Sequence, residues 1–128
     1  MALDYTLLLL RLLIGMTFVL HGLDKFDTNA AEGMEKWFIL LKLPFPGLLV
    51  KLARNFEVIG GIAVVLGFGQ WAGPVMLIAV MLVATKLAHW KLDPRVTNGG
   101  WEFNALLIAV NVLFWVQGFG AYALDGWL

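Results

Sequence analysis

The chain has 128 residues, 61% of them hydrophobic and only 14% charged, with mean hydropathy +0.84 and zero formal net charge. This is too apolar for an ordinary soluble domain, and it is enough chain for four short membrane spans. With no cysteine there is no disulfide, thiolate metal site or dithiol chemistry, and with no basic run no nucleic-acid partner is expected.

The first predicted element, residues 3–26, is a span that carries three basic side chains, Arg11, His21 and Lys25. At about 1.5 Å per residue it can cross a hydrocarbon core of roughly 30 Å, which leaves Arg11 mid-span. His21 and Lys25 are four residues apart and share a helical face. The internal arginine, the lack of a basic leader and the lack of a small-residue cleavage site argue that the span is retained rather than removed as a signal peptide.

Residues 30–41 mix charge with aromatic and aliphatic side chains and predict a short amphipathic helix at the membrane interface, with Trp37 at headgroup depth. Pro44 and Pro46 interrupt it before a second span, about 48–68. Lys51 and Arg54 can snorkel to water from that span's first turns, whereas Glu57 is too deep to do so easily. A glycine-rich hairpin at 67–73 leads to a third span, about 74–90, with Pro74 in its first turn. A loop containing Pro94 and Asn98-Gly99-Gly100 precedes the fourth span, about 101–117. The aromatic, glycine-punctuated tail 118–128 is expected on the membrane surface.

The expected architecture is therefore all-α: one membrane domain, a four-helix transmembrane bundle running up-down-up-down, with a short interfacial helix between spans one and two. That topology gathers His21, Lys25, Arg54, Lys86, His89, Asn98 and Glu102 on one side. The other side holds Asp4, Gln117 and Asp125, with no lysine or arginine if Arg11 counts as intramembrane. By the positive-inside tendency the crowded side is cytoplasmic, which puts both termini outside a prokaryotic plasma membrane.

Depth arithmetic predicts one ion pair. Arg11 lies roughly 12 Å from the outer face and Glu57 roughly 14 Å from the inner face, so in a core of about 30 Å they come nearly level. Either charge left alone costs about 3 kcal/mol on insertion scales, and mutual neutralisation of Arg11 and Glu57 removes that cost. Asn104 and Asn111, seven residues apart on one face of span four, are directed at the same interior.

These motifs carry a resemblance to a known family. Leu10-Arg11, His21-Gly22-Leu23-Asp24-Lys25-Phe26, Glu57-Val58-Ile59-Gly60-Gly61, Asn98-Gly99-Gly100-Trp101-Glu102 and the closing Gly118-Phe119-Gly120-Ala121-Tyr122-Ala123-Leu124-Asp125 occur in the order found in the DoxX family of small four-span membrane proteins, which the chain resembles over nearly its whole length. Ala123 stands where a serine is usual, and the loop 91–97 is richer in charge than the family pattern. The resemblance implies a membrane-embedded component of redox complexes, since the family takes its name from a subunit linked to thiosulfate oxidation with quinone as acceptor. It transfers a fold better than a function.

Two functional classes remain open. In the first, a pocket lined by His21, Lys25, Glu57, His89 and Glu102, with Arg54, Asn98 and Asn104 nearby, binds a quinone head group. Imidazole or ammonium donors engage its carbonyl oxygens, and Glu57 or Glu102, the catalytic candidates, exchanges protons. A variant makes His21 and His89 axial ligands of a haem b, which the adjacent lysines disfavour. In the second, the protein is a non-catalytic anchor, scaffold or assembly subunit, with the bilayer and other membrane subunits as partners. Structural roles compete at each position: Arg11 and Glu57 can simply fix helix register, Glu102 can complement a helix dipole, Asn98-Gly99-Gly100 can be a turn, and the tryptophans can form an interfacial belt.

Overall fold

Apolar runs set the helices, and prolines and glycines at the joints set where they stop. The computed structural model describes residues 1–86 and 101–127. Among the described residues all regular structure is helical: α1 Ala2–Asp24, α2 Thr28–Leu40, α3 Pro46–Leu66, α4 Ala72–Ala84 and α5 Glu102–Gln117, then a 3-10 turn at Leu124–Trp127. Asp27 caps α2 by accepting a hydrogen bond from the Asn29 amide. Pro46 occupies the first turn of α3, and Gly67, at φ 68°, closes that helix in the left-handed conformation that glycine adopts without penalty. After Ala84 the chain continues through Thr85 and Lys86 as a wider π turn. The remainder of the expected third span, with His89, and the turn bearing Asn98 lie outside the described residues.

α1 packs on α3, α3 on α4 and α4 on α5, and α5 touches α1, while α2 lies against α3. α1 and α3 run antiparallel and very close, because glycines face each other. A Cβ on Gly61 would stand 2.8 Å from the Gly15 carbonyl, and one on Gly22 would stand 3.1 Å from the Arg54 carbonyl. The core comprises Leu7, Phe18, Val64, Leu77, Met81, Leu107 and Phe114 from α1, α3, α4 and α5, joined by Phe119 and Ala123 from the tail. Residues 118–127 fold back over one end of the helices, with Phe119 and Ala123 buried.

Outward positions remain apolar, Leu9, Leu106 and Val116 among them. α1 is long and apolar enough, by length and composition, to cross a membrane, and α4 and α5 are shorter apolar helices.

Candidate functional site

Two polar centres occupy opposite ends of the helices. At the first, α1 brings His21 and Lys25 onto one face, and the close α1–α3 contact carries the lysine over α3. Lys25 Nζ donates to Glu57 Oε2 at 2.6 Å and to the His21 carbonyl at 3.2 Å. Glu57 is only 4% exposed.

The expected Arg11–Glu57 pair is not formed. Gly15 faces Gly61 and Val65, and Gly22 faces Arg54 and Val58. On that register Arg11 comes level with the end of α3 and Glu57 with the last turns of α1, roughly 15 Å apart along the axis. Depth counting treats the start of the second span as flush with the end of the first, whereas α3 begins several residues beyond it.

The Lys25–Glu57 pair stands in the wall of a half-open cavity of about 440 Å³. Among the described residues the other polar side chains on the wall are His21 and Asn104, and the rest of the lining is apolar, including Leu52, Phe56, Met81, Phe103 and Leu107. Asn104, on the first turn of α5, donates to Thr85 Oγ1 at 3.2 Å, which in turn donates to the Met81 carbonyl. The His21 ring meets Phe103 edge-on at 6.1 Å. α2 supplies the remaining wall through Met34, Trp37 and Phe38.

Thus four sequence-predicted site residues, His21, Lys25, Glu57 and Asn104, share one cavity. Arg54 turns elsewhere: its guanidinium lies 4.3 Å over the Phe26 ring, and its Nε donates to Asn55 Oδ1. Glu102 is exposed at the start of α5 and is not part of the lining. His89 and Asn98 lie outside the described residues, and so does half of the bis-histidine haem arrangement.

Sequence reasoning missed the second centre. Arg11, 1% exposed, donates from Nη1 to the Val65 carbonyl at 2.7 Å and from Nη2 to the Tyr122 carbonyl at 3.2 Å, while its Nε has no partner among the described residues. The guanidinium thus meets the last turn of α3, where the helix dipole is negative, and ties it to the tail. Gly67 leaves room for this, since a Cβ there would stand 2.7 Å from Arg11 Nη1 and would collide with Ala123. Asp125 accepts from the Gly69 and Gln70 amides at 3.0 and 2.7 Å, its own amide donates to the Gly67 carbonyl at 3.0 Å, and Asp4 accepts from the Ala121 amide at 2.9 Å. Tyr5 stacks near Tyr122 at 5.1 Å, and hydrogen bonding with Tyr5, partial desolvation and the Asp4 carboxylate raise the Tyr122 phenol above its ordinary range. The signal available in sequence was the grouping of Asp4 and Asp125 at one end. Their partners are backbone amides, which leave no mark in side-chain identity. Asn111 is fully buried in α5, its amide nitrogen donating to the Leu107 carbonyl and its Oδ1 unpartnered among the described residues.

The DoxX family model matches residues 6–90, a stretch from α1 to beyond α4. Among curated proteins, the Bacillus subtilis (strain 168) protein named "Putative oxidoreductase CatD" is similar to this chain, 30% identical over 118 residues that cover 92% of this chain and 83% of the relative. No solved structure matches the chain.

Proposed function

The chain belongs to the DoxX family, and on that footing we propose that it is a multi-pass membrane component of a redox system whose Lys25–Glu57 cavity takes a quinone head group. In this reading α1, α3, α4 and α5 span the bilayer, with the Lys25 end cytoplasmic and α2 in the interfacial layer. The family, the relative's oxidoreductase name and the outward apolar side chains support the setting.

One observation carries the reading: a largely buried ammonium–carboxylate pair in the wall of a mostly apolar cavity of about 440 Å³. The volume falls in the range of small-molecule pockets, and the few polar groups can orient a ligand that the apolar wall holds. When bound, a quinone supplies two-electron acceptor chemistry, with the electrons coming from a partner oxidoreductase. Lys25 donates a hydrogen bond to a carbonyl oxygen at one end of the head group. Glu57 is the group that exchanges the accompanying protons, and Asn104 meets the head group from α5. The apolar lining leaves room for an isoprenoid tail.

The test is titration of the full chain in lipid nanodiscs with decylubiquinone, read by tryptophan quenching, since Trp37 lines the cavity. Saturable quenching weakened at least about tenfold by Lys25→Met or Glu57→Gln is expected, as loss of a charged hydrogen-bond partner implies. Turnover of the assembled complex should fall in the same variants. No saturable binding, with normal turnover of variants that still assemble, would replace this reading with that of a non-catalytic anchor or assembly subunit.

A further inference from the structure

α2 is the least anchored wall of the cavity. No residue of this helix is buried, and it packs on α3, yet Met34, Trp37 and Phe38 close one side of the space in front of Lys25 and Glu57. The joint that connects it to α3 is strained: Lys42 (φ 58°) and Phe45 (φ 50°) both hold left-handed backbone on either side of Pro44 and its neighbour. Side chains with a Cβ rarely adopt that conformation, and such strain gathers at switches and ligand clamps. A proline-bearing joint with two such residues can release strain by changing α2's tilt, and α2 has little buried area to oppose it. Its polar residues Glu32 and Lys36 are exposed, so the helix has a wet face and an apolar face, as a helix lying in the interfacial layer requires.

We infer that α2 is a movable wall, and that a lipid-soluble quinone reaches the Lys25–Glu57 pair by passing beneath it from the interfacial layer of the bilayer. The inference rests on the quinone reading. Lateral entry suits that ligand because its tail never has to leave the lipid, and the head group travels only the width of the helix. The left-handed joint holds the closed position at a cost in backbone energy, which keeps an open minor state within reach.

The chain has no cysteine, so two introduced thiols are the sole attachment points for spin labels. Labels at Lys36→Cys on α2 and Leu106→Cys on α5, both exposed positions, report the α2 distance in nanodiscs. Without ligand, two distance populations are expected, and saturating decylubiquinone collapses them to the shorter. Adding Lys42→Gly and Phe45→Gly removes the strain of the closed joint, so the longer population falls by at least about fivefold and ligand entry slows to match. A single distance unchanged by decylubiquinone and by the glycines, in protein whose tryptophan fluorescence the quinone still quenches, would make α2 a fixed wall and overturn the inference alone. Absence of quenching in the unlabelled wild type would instead overturn the quinone reading, and the inference with it.

Discussion

Lys25 Nζ stands 2.6 Å from Glu57 Oε2, joining the end of α1 to the middle of α3 with side chains only 12% and 5% exposed. The two charges are separated by 32 residues of chain and meet because glycines let the two helices approach. Removing one partner from such a pair strands the other charge in a poorly solvated site, whereas removing both leaves none stranded. Lys25→Met and Glu57→Met should each lower stability by about 3 kcal/mol, and the double variant should lie close to wild type. Equilibrium unfolding of the four proteins in mixed micelles measures the coupling. Single losses that simply add in the double variant would mean the pair contributes nothing as a pair.

Arg11 uses a planar fork to hold two carbonyls on separate segments, Val65 at the end of α3 and Tyr122 in the tail. A lysine supplies the same charge without the fork. Arg11→Lys should therefore keep the α3 contact and release the tail, and Arg11→Met should lose both at a cost of about 2–3 kcal/mol. Faster hydrogen exchange across residues 121–126 in Arg11→Lys is the expected sign. Unchanged protection there would place the hold on the tail entirely with Asp4 and Asp125.

Asp125 is the other clasp. Its two carboxylate oxygens accept from the Gly69 and Gln70 amides and so bind the tail to the α3–α4 hairpin. Charge-assisted bonds of this kind contribute about 1.5–3 kcal/mol together with the groups they satisfy. Asp125→Ala should cost that much, and Asp125→Asn about half, because one oxygen is replaced by a donor facing an amide. Amide exchange at Gly69 and Gln70 should rise in both variants. Stability loss without faster exchange at those two amides would assign Asp125 some other role.

The helices, their joints and the gathering of His21 and Lys25 at one end were legible because apolar runs, Pro44, Pro46 and Gly67 carry them directly. Glu57 was legible as interior, since a carboxylate that deep has few alternatives. Its partner was not. Depth along a single helix says nothing of how far α3 overshoots α1, and that register is set by Gly15, Gly22 and Gly61 meeting across two faces whose pairing exists only in three dimensions. The tail escaped for a different reason: Asp4, Arg11 and Asp125 bond to main-chain atoms, and any residue type could have supplied those.

Glycine substitutions separate close packing from mere permissiveness. A Cβ on Gly61 would face the Gly15 carbonyl at 2.8 Å and the Val19 amide nitrogen at 3.0 Å, both backbone atoms that cannot swing aside. Gly61→Ala must therefore push α1 from α3, which costs about 1–3 kcal/mol as overpacking and draws Lys25 off Glu57. Gly33, in the middle of α2, has nothing within 4 Å of the same added atom. There alanine only improves helix propensity, so Gly33→Ala should be neutral or up to about 1 kcal/mol stabilising. Thermal unfolding of the two variants side by side tests the α1–α3 interface, because helix propensity alone would make both changes favourable. A Gly61→Ala protein as stable as wild type would mean that the two helices do not pack at the separation described, and the Lys25–Glu57 contact that depends on it would have to be drawn again.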